Sequence, residues 1–439
     1  MMTSQSAVLA QRDAFAATTP RLREPDWLAS RRAGAMQHFV ERGLPTHRLE
    51  AWRFCDLRLL VAGLGLPLPA REEARPLPAL AAHRLPGTAH RIVLLNGRFA
   101  PELSQIGALP RGVWLGSLAD CIDLRPDLAA AAFDVSDTQG EQSFASLNAA
   151  FCADGFALLL DPGVVLEQPV EVLHVNDAAG PHACHLRSVI LAEAGSVASV
   201  VETYVGSGAG WTNAVTTIHV GVGATLRHVK VQAESAEAVH LALVRADLAA
   251  TAHYEGFVLV VGARQSRHEV QAQLTGADTT MVLNGAYLLR GEQEATIAPV
   301  VDHCCKGGQT SELIKGVITD RAHGVFLGTM VVREGADGTD ARQLNPNLML
   351  SPGARVDTRP ELTIHADEVK CSHGATVGDL DEAALFYLVS RGIDPLTARH
   401  MLVEAFAADV FDVAALAPGI DAHARRYLLA WLAREGERS

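Results

Sequence analysis

The sequence predicts a mainly β chain: a β-solenoid flanked by α-helical regions at both ends. Three observations carry this. Proline, used freely elsewhere, is absent between Pro181 and Pro299, and long strands exclude it because it removes a ladder donor. The same stretch alternates in two-residue steps, as in Thr216-Thr-Ile-His-Val and Thr225-Leu-Arg-His-Val-Lys-Val, which is the period of a pleated strand. A turn of glycine and a small residue recurs at Gly195-Ser, Gly223-Ala, Gly262-Ala, Gly276-Ala and Gly353-Ala. Turn-plus-strand units without intervening helices favour a solenoid. A barrel or sandwich shows shorter strands at steadier spacing.

Residues 1–88 read as an N-terminal helical region and linker. Pro25 suits a first helical turn, and Trp27, Leu28, Ala35 and Phe39 follow at roughly helical spacing. Gly43-Leu-Pro45 stops that helix; residues 61–88, rich in Pro, Leu and Ala, read as a linker or irregular cap. Residues 89–378 form the β core, opening at Arg91-Ile-Val-Leu-Leu, with continuous coiling expected over residues 140–375. Residues 379–439 return to helix. Asp381-Glu places acids in a first turn that Arg391-Gly392 closes. Asp394-Pro395 starts a second helix with Leu396, Val403 and Ala407 on one stripe. Tyr427, Leu428, Trp431 and Leu432 mark a third. Such helices either cap an exposed sheet edge or offer a docking face.

Composition narrows the function classes. The chain has 439 residues, 49% of them hydrophobic, and a net charge of −13, which suits a large buried core and excludes wholesale disorder. Its lysines are Lys230, Lys306, Lys315 and Lys370, so no basic face for nucleic acid is expected. No apolar run reaches the roughly 18 residues of a membrane span. The N-terminus lacks a basic segment followed by an apolar one, and seven scattered cysteines do not form a disulfide framework. A cytoplasmic chain with reduced thiols is expected.

Several signatures are missing: no G-x-x-x-x-G-K-[ST] for ATP, no H-E-x-x-H, no G-x-S-x-G and no C-x-x-C. Three concentrations of ligand-type residues remain. His182-Ala-Cys184-His185 reads as a polar entry to a strand. Asp302-His303-Cys304-Cys305-Lys306 holds adjacent cysteines, which point to opposite faces of an extended chain. The third is His365-Ala-Asp367-Glu-Val-Lys-Cys371-Ser-His373. If extended, it projects residues 365, 367, 371 and 373 from one face, with the Cα atoms of Cys371 and His373 roughly 6.5–7 Å apart. Two such residues are too few for a tetrahedral thiolate site. Either His365 and Asp367 complete the set, or another protein does.

Residues 359–393, containing Cys371-Ser-His373-Gly-Ala-Thr376, closely resemble the SufB/SufD family of the SUF iron–sulfur cluster assembly system. Further matches are Leu44-Pro-Thr-His-Arg-Leu-Glu-Ala-Trp-Arg-Phe54, Leu147-Asn-Ala-Ala-Phe151, Lys315-Gly-Val-Ile-Thr-Asp and Asp340-Ala-Arg-Gln343. The Cys-Ser-His form of the motif is similar to the SufD branch, and Leu350-Ser-Pro-Gly-Ala lacks the cysteine that SufB carries nearby. The resemblance implies a right-handed parallel β-helix flanked by helical regions, acting as a non-enzymatic scaffold subunit. It implies a SufB-like partner, and a SufC-like ABC-type ATPase bound through the C-terminal helices, which would account for the missing P-loop. It further implies that His373 lies at the SufB interface near a nascent cluster, with Cys371 beside it. Iron or a cluster would be held transiently there, with no stably bound cofactor. The roles of Cys371, Cys304 and Cys305, and homodimer formation by the isolated chain, stay open.

Two enzyme readings stand beside the scaffold. A β-helix polysaccharide lyase or hydrolase needs an aromatic-lined groove, and only 5% of this chain is aromatic. A thiol enzyme would use Cys371 as nucleophile and His373 as base, but the sequence shows no orienting group.

Overall fold

After the first five strands, consecutive strands go to different sheets, and every second strand returns to the same one. The computed structural model describes residues 4–18, 24–66, 80–133, 143–177, 182–414 and 416–436. From Val170–Asn176 to Lys370–Gly378 the strands alternate between an eleven-stranded and a nine-stranded sheet. Pairing along this stretch is parallel. Thr225 lies beside His253, and Thr280, Gln309, Asp340 and Lys370 follow turn by turn. The result is a parallel β-solenoid of about 8 turns, as the alternating, proline-free stretch implied. At Pro299 and Pro346 pairing with one neighbouring strand lapses locally, whereas Pro360, in the last strand of its sheet, is paired with Gly328 in an unbroken register.

Alternate side chains of each strand enter the lumen. Leu226, Tyr254 and Met281 stack there in successive turns. The outward residues of the eleven-stranded sheet, among them Val201, Val229, Phe257, Leu288 and Val317, are also buried. They lie under helices Pro395–Ala414 and Pro418–Gly436, which contribute Val403, Ala407, Phe411 and Leu428. The rings of Phe257 and Phe411 pack at 5.0 Å. These two helices therefore cover the side of the solenoid, not its end. Of the stripe expected on the first of them, Val403 and Ala407 are buried while Leu396 is exposed.

The nine-stranded sheet is covered over its early strands by the N-terminal region. Trp52, Leu60, Phe144 and Leu147 pack on Ala183, Trp211, Val239 and Leu241. Arg187, which points outward from strand His182–Ala192, donates to the Asn148 side chain at 2.9 Å and to the carbonyls of Ala145 (3.2 Å) and Ala132. It ties helices Pro126–Ala132 and Ser143–Phe151 to the sheet. These two helices and Leu118–Leu124 fall inside the stretch that the sequence assigned wholly to β structure. Of the linker expected over residues 61–88, residues 67–79 lie outside the described residues; its flanks enter helices Leu57–Gly63 and Leu80–His83.

The recurrent glycine turns are solenoid corners. Gly195 and Gly223 take left-handed backbone, with φ of 68° and 65°, and at Gly262-Ala263 it is Ala263 that does so, at 64°. Gly276 is needed for another reason: a Cβ there would stand 1.9 Å from the Ala250 backbone nitrogen of the stacked corner. Gly223→Ala meets only the Thr251 hydroxyl at 3.7 Å, an ordinary contact, so its expected cost is the left-handed strain, about 1–2 kcal/mol. Gly276→Ala must move backbone and should cost about 3 kcal/mol or more. Urea unfolding of the two variants checks this order; an equal or reversed ranking rejects the stacked-corner argument.

Candidate functional site at the open end of the solenoid

The two ends of the stack differ. At the first, Val113–Ser117 pairs antiparallel with Phe156–Leu160, and Arg98–Phe99 and Gln105–Ile106 pair antiparallel with His90–Leu95. At the other end, Arg355–Ile364 is the last strand of the nine-stranded sheet and Lys370–Gly378 the last of the eleven-stranded sheet. Neither has a strand on its outer edge among the described residues. Unpaired N–H and C=O groups along such edges are a template for another chain. Apolar side chains are exposed around them: Leu344, Ile364 and Val377. Next in the chain comes helix Glu382–Ser390, begun by Asp381, whose carboxylate accepts from the Ala383 and Ala384 N–H groups at 2.8 and 3.2 Å. It buries no residue and leaves Phe386 75% and Tyr387 56% exposed.

Cys371 and His373 lie on that last strand. Their register neighbours are Ala341 and Gln343, both fully buried and facing the lumen. Cys371 and His373 therefore share the lumen side of a strand that has no turn above it. Cys371 is half-buried and His373 exposed. Burial pushes the Cys371 thiol up, against a backbone hydrogen bond from Ala341 that lowers it, and Asp340 adds to the rise. This does not suit a ready nucleophile.

His365 and Asp367 do not join them on one face. The chain leaves the nine-stranded sheet at Ile364 and enters the eleven-stranded sheet at Lys370, so residues 365–369 form a corner. The extended reading missed this, because a corner of polar residues carries no break in composition. Among the described residues, no three His, Cys, Asp or Glu side chains are placed to hold one metal ion.

Beneath the open end the lumen turns polar. The Gln343 side chain donates to Glu312 Oε2 at 2.6 Å. Asn345 donates to the Ile314 carbonyl at 2.8 Å, and the Tyr287 hydroxyl bonds Asn347. Three buried atoms here find no hydrogen-bond partner among the described residues: Glu312 Oε1, Gln343 Oε1 and Thr358 Oγ1. Burial pushes the Glu312 carboxyl up to about 7, opposed by the Gln343 hydrogen bond. Glu312 was not singled out from sequence. The signal was present: Thr310, Glu312 and Ile314 alternate, placing a carboxyl on the inward face of a strand.

A second polar group lies deeper in the lumen and was likewise missed. Glu202 accepts from the Tyr204 hydroxyl at 2.7 Å and lies 2.8 Å from His174 Nε2 and 2.7 Å from His228 Nε2. Burial raises its carboxyl, but these histidine contacts hold it well below the usual range. The other two sequence clusters are dispersed. Cys184 and His185 are buried on opposite faces of their strand, and burial pushes His185 down to about 3. His303 enters the lumen and meets the Thr310 hydroxyl at 3.0 Å. Cys304 and Cys305 turn the next corner, where burial raises Cys304 to about 11 and Cys305 Sγ meets the Thr275 carbonyl at 3.0 Å.

Comparison with known proteins agrees with this architecture. Residues 174–406 match the SUF system FeS cluster assembly SufBD core domain, and residues 15–172 match the SufBD protein N-terminal region. An iron–sulfur cluster assembly SufBD family protein of Synechocystis is 30% identical over 407 residues, 90% of this chain and 89% of the relative. The iron–sulfur cluster assembly protein SufD of Escherichia coli is 30% identical over 384 residues, 85% of this chain and 86% of that protein. SufD of Bacillus subtilis is 28% identical over 280 residues, 62% of each chain.

The buried carboxyl makes a pH prediction. Raised from 4.5 to about 7, Glu312 prefers its neutral form in the folded chain. The stability this contributes is complete below about pH 4.5 and is lost as pH rises through 7. Glu312→Gln removes the titration. From pH 5 to pH 8 the native chain should lose about 2–3 kcal/mol relative to the variant. Urea unfolding at both pH values checks it; parallel pH profiles would contradict it.

Proposed function

Because the chain belongs to the SufBD family of the SUF iron–sulfur cluster assembly system and has a role in iron–sulfur assembly, we propose that it is the SufD-like scaffold subunit of that system. In this reading the open end of the solenoid receives a SufB-like subunit, and His373, assisted by Cys371, supplies part of a site for nascent iron or cluster. Iron and cluster are cargo here, not resident cofactors. The observation that carries the reading is the position of Cys371 and His373: lumen-facing, on the last strand of the stack, with no third ligand beside them among the described residues.

Ligand counting gives this its force. An iron–sulfur cluster is commonly held by four protein ligands, and a Cys-x-His strand offers two. The neighbouring edge invites the chain that would bring the rest. His373, the more exposed of the two on that strand, is taken as the primary ligand.

A SufC-like ABC-type ATPase would dock on the C-terminal region, and its energy source would account for the absent P-loop. Helix Glu382–Ser390 is the face best suited, since it is formed by its own cap and presents Phe386 and Tyr387 outward. Deleting residues 379–439 would also strip Val403 and Phe411 from the sheet, so substitution is the cleaner test. Phe386→Asp with Tyr387→Asp should abolish co-elution with the ATPase and leave the melting temperature unchanged. Retained co-elution would move the docking face elsewhere.

The ligand assignment is tested in the reconstituted three-protein complex. His373→Ala should cut bound iron and sulfide several-fold while the complex still assembles, and Cys371→Ser should have the smaller effect. Full iron and sulfide content in an intact His373→Ala complex would rule out the ligand role.

A further inference from the structure

We propose that Gln343 is the positioning residue for His373: its side-chain oxygen accepts one ring N–H of that histidine, leaving the other ring nitrogen to face the cargo site. The inference rests on the ligand role proposed above for His373. It starts from a buried atom that has nothing to do. Gln343 is 0% exposed, yet its Oε1 has no hydrogen-bond partner among the described residues. Such an acceptor carries a cost of about 1–3 kcal/mol unless something pairs with it.

The amide is held in one place by its surroundings. Its nitrogen donates to Glu312 Oε2 at 2.6 Å, which turns the oxygen away from that carboxyl. Across the lumen stands Gly328, where a Cβ would come within 2.5 Å of the Gln343 amide carbon. The absence of a side chain at Gly328 therefore makes the room that the amide occupies. One strand further out, roughly 4.8 Å away, His373 is the register neighbour of Gln343 on the same lumen side. The free acceptor and an imidazole in need of orientation are thus on neighbouring strands at the open end.

The chemistry matches the requirement. A metal-ligating histidine generally donates its second ring N–H to a carbonyl or carboxylate, which sets the tautomer and the ring plane. An amide oxygen does this without adding charge. Glu312 then serves as the anchor of the anchor: it fixes the amide that fixes the ring.

The test uses the full chain with ring-15N-labelled histidine, His373→Ala assigning the His373 signal. In the isolated native chain, the neutral imidazole of His373 should be predominantly one tautomer. Gln343→Met, which keeps the length but removes the acceptor, should give a mixture. The exchanged pair Glu312→Gln with Gln343→Glu restores donor and acceptor in reversed order and should return the single tautomer. In the three-protein complex, iron retained against a chelator should fall roughly tenfold in Gln343→Met and recover in the exchanged pair. If His373→Ala lowers iron but Gln343→Met changes neither tautomer nor iron retention, the positioning role is wrong and the ligand role stands. If His373→Ala leaves iron unchanged, the ligand role itself fails. Should Gln343→Met not fold, the exchanged pair decides: native tautomer and iron support the proposal, and their loss in a folded chain overturns it.

Discussion

A coil of parallel β-structure satisfies its backbone only through the coils on either side of it, so every stack has two ends to be dealt with. In this chain the two are treated oppositely. The first end is closed by short strands that reverse direction and pair antiparallel with the outermost coil. The last is left as two edge strands with apolar neighbours. What distinguishes the site follows from that choice. Residues that would sit inside the lumen in any earlier turn, Cys371 and His373, stand at a surface here because the next turn belongs to no part of the described chain.

The same stacking rule explains how a solenoid tolerates charge in its interior. Equivalent positions of successive turns lie one strand apart, so a buried carboxyl can be met by side chains from the turns around it. Glu202 is served by His174 from the preceding turn and His228 from the following one. Glu312 receives only the Gln343 amide. The difference shows in their acidities: the well-served carboxyl is held low and the poorly served one is pushed up to about 7. Polar groups in such a lumen also resist slippage of one coil against the next, since a shifted register would leave each of them unpaired.

Much of this was readable in the chain. Proline exclusion and two-residue alternation are direct consequences of ladder hydrogen bonding, so the coils announced themselves. The Cys371-Ser-His373 spacing put both residues on one side of a strand, as found. What the sequence hid was three-dimensional register. Nothing at residues 365–369 marks a corner as opposed to more strand, so His365 and Asp367 seemed to share the face of Cys371. Gln343 and Glu312 lie far apart in sequence and meet only because Gln309 pairs with Asp340 at the start of their strands. The helices Leu118–Leu124 and Pro126–Ala132 were hidden for a different reason: at 7 residues each, both are shorter than the roughly 11–18 residues over which helical patterning is read.

The lateral packing of the last two helices has a bearing on synthesis. Val201 and Val229 of the eleven-stranded sheet leave the ribosome long before Val403, Phe411 and Leu428, the side chains that shield them. A growing chain that coils from its closed end would thus carry a lengthening apolar stripe, uncovered until the final helices arrive. Arrival of the helices that follow the coils, not completion of the coils, is the event that makes this flank safe from sticking to others of its kind. A nascent chain stalled within residues 350–400 would be the most adhesive form of the protein, a burden that falls on chaperones and not on the finished fold.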